Sequence, residues 1–392
     1  MNRSLRQLPI LPLPMEQRTA PPNSGNHSTS AKTNYPYDAL VDSLGRIHSS
    51  LRLSVIDRCN LRCQYCMPAE DVTFLPSQQW LPFPMVARLV QILARCGVHK
   101  VRLTGGEPLM RPGLADLVRR LNQIEPSLEI ALTTNGMLLA DQVEGLRQAG
   151  LDRLNISLDT LSESTFQRLT RRPGLPRVLQ GIDAAINCGI PSKLNALILR
   201  GINEQEIIPL VEFAASRQLA IRFIEFMPLD ADRAWTQQSV VQGEEIRQTI
   251  ERHFGSLQPV DRVDPSQPSE DYRLPGGTEI GWIDSVSKPF CAACNRLRLT
   301  AEGRMRNCLF GREEWDLSEL LRSQADEEQI LQVVRDCVAA KHPSHGLDRK
   351  DLQPPPRAMY QIGGYAICRM ESASIWITPP PDGPNPLGCW RR

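Results

Sequence analysis

From Leu51 onward the chain repeats one pattern, and that repetition restricts the fold more than any other feature of its 392 residues. Short apolar, β-branched runs occur at Leu51–Ile56, Lys100–Thr104, Glu129–Thr133, Arg153–Leu158, Lys193–Leu199 and Ile221–Phe226. Between them lie stretches with apolar residues at helical spacing: Pro84–Cys96, Gly113–Ile124, Leu139–Ala149, Ser162–Leu169, Pro176–Cys188 and Glu204–Arg217. Gly97, Gly150 and Gly189 each follow a helix, where a C-terminal cap is wanted. Strands alternating with helices make βα units and a parallel sheet. About six units are too few for the eight-unit barrel. The expected fold is therefore α/β: an open, partial TIM-like βα barrel over residues 37–228.

The flanks read differently. Residues 1–36 are rich in Pro, Ser, Asn and Thr and are expected to be a disordered N-terminal extension. After Pro228 the alternation stops. A helix at Gly243–Phe254 precedes a Pro/Ser/Gly-rich connection to Gly277. Strands at Glu279–Val286, Arg296–Thr300 and Arg304–Cys308 follow, then helices at Leu317–Arg322 and Glu327–Ala340. These form a smaller C-terminal α+β module at 229–345, expected to cover the open side of the barrel. Residues 346–392 are a Pro- and Gly-rich tail.

Charge excludes some functions. Lys and Arg number 45 against 44 Asp and Glu, so the chain is not built to coat nucleic acid, and an anionic ligand must be met by a local basic cluster. No run approaches the roughly 18 apolar residues of a membrane span. The stretch Leu8–Met15 is no secretory signal, being broken by Pro9, Pro12 and Pro14. Arg3, Ser4 and Arg6 have the composition of a transit peptide, but the prolines oppose its helix. The expected location is the cytoplasm, or the mitochondrial matrix for a eukaryotic source.

Eleven cysteines without an export signal are expected to stay free or to bind metal. Cys96, Cys188, Cys337, Cys368 and Cys389 are scattered and read as small buried apolar residues. Cys59, Cys63 and Cys66 are spaced C-x3-C-x2-C just after the first strand, where βα barrels carry their reactive loops. Three thiolates can hold three irons of a 4Fe–4S cube and leave the fourth iron open for chemistry. A structural zinc site would want a fourth ligand, which the local sequence lacks. A disulfide scaffold conflicts with the chain's size and context. Cys291, Cys294 and Cys308 are spaced C-x2-C-x13-C. Here the spacing leaves open both an iron–sulfur cluster and a zinc site completed by His253, His342 or His345.

The first cysteine group, with Tyr65 before its last cysteine, resembles the signature of the radical S-adenosylmethionine (SAM) superfamily. The resemblance implies that SAM chelates the open iron and is reductively cleaved to methionine and a 5′-deoxyadenosyl radical. Thr104-Gly105-Gly106-Glu107-Pro108 resembles the superfamily's GGEP motif, although read alone it is also a plain turn. Tyr65, Gly106, Ser157 and Met227 fall at positions that resemble SAM contacts.

Six segments in order are similar to the GTP 3′,8-cyclases, the molybdenum cofactor biosynthesis protein A family: Leu51–Asn60, Val101–Leu109, Leu132–Gly136, Arg222–Pro228, Cys291–Leu299 and Glu302–Phe310. The similarity covers residues 40–364. It implies a second 4Fe–4S cluster on Cys291, Cys294 and Cys308, whose open iron binds the guanine of GTP. It also implies GTP binding by Arg52, Arg102, Thr133, Lys193, Arg296 and Arg298. Any one of these cations alone would read as a solvated face; together they suit a triphosphate of about four negative charges. The implied reaction is a lyase step of molybdopterin synthesis. Hydrogen leaves C3′ of the GTP ribose, the carbon radical attacks C8, and (8S)-3′,8-cyclo-7,8-dihydroguanosine 5′-triphosphate results. Implied partners are an electron donor such as a flavodoxin or ferredoxin, the cyclic pyranopterin monophosphate synthase that takes the product, and a second copy of the chain in a homodimer. No catalytic side chain is assigned, and the six histidines are unclustered.

Two rival readings stand beside this one. Another radical SAM enzyme with an auxiliary cluster, such as a peptide-modifying one, would carry more cysteines in its C-terminal module. A non-enzymatic zinc-binding regulator would explain neither the GGEP-like loop nor the barrel strands. The sequence also departs from the family pattern. Met359–Gly364 resembles the Gly-Gly ending that enters the family's active-site pocket, yet the chain runs on to Arg392. Truncation after Gly364 is accordingly expected to raise turnover.

Overall fold

The computed structural model describes residues 37–230, 232–346, 357 and 359–362. All six strands of the repeating pattern form: β1 (Ser50–Ser54), β2 (Lys100–Thr104), β3 (Glu129–Thr134), β4 (Arg153–Ser157), β5 (Ser192–Ile198) and β6 (Ala220–Glu225). The helices between them are α1 (Phe83–Arg95), α2 (Leu114–Asn122), α3 (Leu139–Gln148), α4 (Glu163–Thr170), α5 (Leu175–Asn187) and α6 (Ile207–Ser216). Pro84 and Pro176 start α1 and α5, where a missing N–H costs nothing. Gly97, Gly150 and Gly189 end their helices with φ of 95°, 93° and 71°, the left-handed cap expected of them.

Strand alternation divides the molecule into a dry and a polar side. In β1, Leu51 and Leu53 are buried in one core with helix residues such as Leu89, Leu93 and Leu117. Arg52 between them takes the opposite face, toward the barrel lumen. The same parity sends Arg102, Asn155, Asn195 and Arg222 inward. A closed βα barrel fills its interior with branched apolar side chains. Here the interior is polar, and the hydrophobic core lies between sheet and helices.

The C-terminal segment supplies α7 (Gly243–Phe254), β7 (Gln258–Pro259), β8 (Glu270–Arg273), β9 (Glu279–Ile283), β10 (Arg296–Leu299), β11 (Arg304–Arg306), β12 (Trp315–Asp316), α8 (Ser318–Arg322) and α9 (Glu327–Ala339). The twelve strands of the described residues belong to one open sheet, in the order β12-β11-β10-β1-β2-β3-β4-β5-β6-β9-β8-β7. β10 pairs parallel with β1, and β9 parallel with β6. The C-terminal module therefore meets the open side by lengthening the sheet at both edges, not as a separate layer upon it. Unpaired strand edges explain this, since each exposes a row of unmet N–H and C=O groups. Segment 284–295 joins β9 to β10 across the remaining gap.

Two expectations need correction. The connection between Phe254 and Gly277 contains β7 and β8. It also returns to β2, where Lys100 meets Asp264 at 2.6 Å. β8 reads Glu-Asp-Tyr-Arg, a charged strand between β9 and the two-residue edge strand β7, without the apolar alternation that would announce it. Among the scattered cysteines, Cys96 and Cys337 are buried as expected, but Cys188 caps α5 part-exposed, with its sulfur 3.5 Å from Glu144. Cys368 and Cys389 lie outside the described residues, as does the expectation for residues 1–36.

Leu297 of β10 is fully buried opposite Leu51. Leu297→Ala is expected to cost about 2–5 kcal/mol. Because the sheet is continuous, hydrogen exchange should accelerate at the β1 and β2 amides too. Acceleration confined to residues after 228 would contradict that continuity.

Candidate active site

The cysteine loop that follows β1 is built by extending the β1–β2 pairing beyond the strand ends. Val55 N–H donates to Thr104 O (2.9 Å), Gly106 N–H to Ile56 O (2.8 Å) and Glu107 N–H to Arg58 O (2.7 Å). This contact is so close that glycine is required. A Cβ on Gly106 would lie 2.1 Å from Arg58 O, and one on Gly105, whose φ is 145°, would lie 2.2 Å from Ile56 O. Asp57 secures the other side of the loop, accepting from Leu75 N–H (2.6 Å) and Trp80 Nε1–H (3.1 Å). Arg62 and Gln64 donate their N–H groups to Thr170 and Leu169 at the end of α4.

Cys59, Cys63 and Cys66 thereby face one cavity of about 300 Å³. Burial pushes the Cys59 thiol up to about 12 and raises those of Cys63 and Cys66 as well. Thiolates at this position need metal charge to hold them. The Cys59 sulfur accepts from Leu61 N–H at 3.4 Å and lies 3.7 Å from Asn135 Nδ2, the kind of hydrogen bonding that supports cluster sulfurs.

Tyr65, Gly106, Ser157 and Met227 line the same cavity. The Tyr65 hydroxyl donates to Asp159, whose other oxygen accepts from Leu197 N–H (2.8 Å). Burial pushes Asp159 up to about 6. Glu107 is buried and accepts from Leu109 N–H (3.0 Å), Thr134 Oγ1 (2.7 Å) and Asn135 N–H (2.8 Å). Burial outweighs those donors and brings it to about 7. Glu107 belongs to the GGEP-like motif, but nothing in the sequence gives it or Asp159 a role.

Cys291, Cys294 and Cys308 line the cavity too, approaching from the opposite end of β1. Ser50, the first residue of β1, is in register with Arg296, two residues after Cys294; Arg298 pairs with Arg306, two residues before Cys308. The first triad follows the last residue of β1. β1 itself, about 13 Å over its four residue steps, runs between the two loops. Burial raises Cys294, but the Arg296 and Lys341 cations outweigh it and bring the thiol down to about 6. Arg296 stacks on Phe290, 4.7 Å from its ring centre.

Between the two triads stand three guanidinium-bearing residues in register: Arg298 on β10, Arg52 on β1 and Arg102 on β2. Burial first, and then the neighbouring guanidiniums, push Arg102 and Arg298 well below their ordinary value. Such like charges side by side favour an anion between them. Thr133 lies 3.5 Å from Arg102. Arg296 also lines the cavity.

Lys193 does not line it. Its ammonium is 3.7 Å from Glu279, and Asn195 is the lining residue of β5. Both face the same way, but Lys193 lies one inward position nearer the strand start. Arg222 does line it, held at 2.7 Å by Asp271 of β8. Sequence reasoning left Arg222 out of the substrate set, although its place in β6 repeats the inward parity of Arg52 and Arg102. Of the histidines proposed as zinc ligands, His253 sits on α7, 3.5 Å from Glu212, and His342 is exposed; neither lines the cavity. His345 does, with Nε2 3.1 Å from Ser285 O. Among the described residues no three His, Cys, Asp or Glu side chains are placed to hold a single metal ion. One thiolate per iron of a cube asks for no such convergence, whereas zinc does.

Met359 also lines the cavity, and Met359 and Tyr360 are packed with Met67, Met227 and Phe310. Gly363, Gly364 and the extension lie outside the described residues.

Comparison with known proteins agrees with this geometry. Residues 53–214 match the family model of the radical SAM superfamily, and residues 219–347 that of Molybdenum Cofactor Synthesis C. The structure of Streptococcus suis SuiB bound to S-adenosylmethionine shares the fold, with a TM-score of 0.50 at 15% identity over 72% of this chain and 67% of that one. A cysteine loop after the first strand of an open parallel barrel is thus that of a radical SAM protein, with its 4Fe–4S cluster and SAM. The GTP 3′,8-cyclase of Rhodopirellula baltica is 49% identical over 86% of this chain and 97% of its own length. That of Paenarthrobacter nicotinovorans is 45% identical over 83% and 97%. The chain belongs to the GTP 3′,8-cyclase family.

Gly106→Ala is expected to displace the Arg58–Cys59 backbone, with loss of SAM binding by calorimetry and of iron from the first triad. Glu107 gives a pH signature. Its folded value of about 7 exceeds the ordinary 4.5, so the native state keeps a proton that the unfolded chain has lost. Stability of the metal-free protein should therefore fall as pH rises from 4.5 towards 7. Glu107→Gln should flatten that part of the urea midpoint against pH. Asp159 and Asp284, both raised to about 6 by burial, leave a smaller slope of the same sign.

Proposed function

We infer that this chain is a GTP 3′,8-cyclase that converts GTP to (8S)-3′,8-cyclo-7,8-dihydroguanosine 5′-triphosphate in molybdenum cofactor biosynthesis. The observation that carries this reading is the placement of both cysteine triads and the Arg298–Arg52–Arg102 row along one cavity.

In this reading Cys59, Cys63 and Cys66 hold the cluster that binds SAM, and Tyr65, Gly106, Ser157 and Met227 contact SAM. Cys291, Cys294 and Cys308 hold a second 4Fe–4S cluster that anchors guanine. When bound, the first cluster and SAM supply the radical that takes hydrogen from C3′ of the ribose. The chain's own residues bind, orient and exclude water. Arg52, Arg102, Arg296 and Arg298 hold the triphosphate, with Thr133 beside Arg102 and Arg222 added to the set. Lys193 acts on the field around Arg222, since it does not reach the cavity wall. Guanine at one end of the lumen and SAM at the other would leave the ribose between them. A peptide-modifying reading gives the buried arginine row no purpose.

The same reading puts the chain in the cytoplasm, with a flavodoxin or ferredoxin as electron donor, the cyclic pyranopterin monophosphate synthase as recipient of the product, and a homodimer as its assembly. Among the described residues no helix is long and apolar enough to cross a membrane.

The test is anaerobic reconstitution with iron and sulfide, addition of SAM and reductant, and measurement of 5′-deoxyadenosine with and without GTP. GTP-dependent formation, with a cyclised product of unchanged mass, is expected. Equal formation with and without GTP would sink the substrate assignment. Arg102→Gln is expected to raise KM for GTP roughly 10- to 100-fold, the worth of one charge-assisted hydrogen bond of ~1.5–3 kcal/mol. Guanosine binding should change far less. Equal losses for both would remove Arg102 from the phosphate site.

A further inference from the structure

Lys341 follows α9 and is almost wholly buried. Its ammonium donates to Arg296 O and to Asn307 O, both at 2.8 Å. Those carbonyls belong to the two separate strands of chain that carry the second triad. Arg296 is two residues after Cys294, and Asn307 immediately precedes Cys308. The Cys294 side chain also lies within hydrogen-bonding reach of the ammonium.

Among the described residues Lys341 has no carboxylate partner. Its nearby negative charge comes from Cys294 and Cys308, while Arg296 and His48 add only cationic or neutral neighbours. A buried ammonium without a counter-ion is costly and is retained only where something else balances it. The chain strengthens this corner rather than relieving it. Asn307 Nδ2 donates to Cys337 O of α9 (2.9 Å), and Arg46 donates to Cys291 O and His342 O, both at 2.9 Å. α9 and the residues after it thus form a brace behind the triad, with the Lys341 amine at its tip.

We propose that Lys341 is a positioning and tuning residue of the second iron–sulfur cluster, tying its two ligand segments together and raising its reduction potential. This rests on the reading of Cys291, Cys294 and Cys308 as a cluster site. The physics is direct. Three thiolates outweigh the positive charge of the oxidised core, and reduction adds a further negative charge. A cation fixed at the ligand sulfurs stabilises the reduced form more than the oxidised one.

The experiment uses the full chain with Cys59, Cys63 and Cys66 changed to Ala, which leaves only the second site to take up iron. After reconstitution, iron and sulfide are counted, the rate of iron loss to a chelator is measured, and the midpoint potential is read by electron paramagnetic resonance titration. Lys341→Met in that background is expected to lower the potential and speed iron loss several-fold. Lys341→Arg, which keeps the charge, should stay near the parent potential. If Lys341→Met fails to fold, Lys341→Gln carries the test, since it removes the charge but keeps an amide donor. A neutral variant with the parent's potential and iron-loss rate overturns the proposal. Absence of any cluster in the Lys341-containing parent overturns instead the reading on which it rests.

Discussion

Three arginines set side by side inside a barrel are a liability that the rest of the structure is arranged to carry. Arg298, Arg52 and Arg102 stand in register on adjacent strands, and burial first, then the Arg52 guanidinium between them, lowers the pKa of Arg102 and Arg298. Like charges directly opposite on a sheet are destabilising. The lumen therefore contributes little to folding, and the fold must draw its stability elsewhere. It does so on the outer face, where the alternate residues of the same strands and the inner faces of the helices form one continuous apolar core. A barrel that packed its interior in the usual way would be more stable and would have no room for a charged ligand.

The same strands fix where the two cysteine triads meet the lumen. β1 carries the first triad beyond its last residue, and β10, its parallel neighbour, begins just after Cys294. The separation of the triads is therefore set by a hydrogen-bonded strand, among the least extensible parts of a protein. A ligand bridging both ends would be measured against that length. The glycine pair after β2 serves the same end, letting the loop of the first triad sit directly on the backbone beside it. Position is what this chain provides; the reactive groups come from what it binds.

Much of this was legible in the sequence. The six strands and their helices followed from apolar periodicity, because each element must bury one face against the same core. Spacing grouped both sets of cysteines, but it spoke for a cluster only at the first; at the second that reading came from the family resemblance. What escaped was decided by contacts between distant parts of the chain. β8 is a charged strand, and only its pairing with β9 on one side and β7 on the other shows that it is a strand at all. Arg222 opens the family-like segment Arg222–Pro228 with nothing local to mark it, yet Asp271 holds its guanidinium at the cavity wall. Lys193 and Asn195 share a face of β5, and parity cannot say at which level along that face the lumen opens. Cys188 was taken for a buried apolar residue because nothing local placed it at a helix end beside Glu144.

The segment Met359–Ile362 joins these two scales of information. Met359 and Tyr360 pack with Met67, one residue beyond Cys66, and with Phe310, two beyond Cys308. Arg357 makes ion pairs with Glu302 and Glu314, whose neighbourhood is the β10–β12 edge. One short stretch near the end of the chain is thus held from both sides by the walls that carry the two triads. The cavity is completed by residues more than three hundred positions after its first wall, and that completion depends on buried contacts no local pattern encodes.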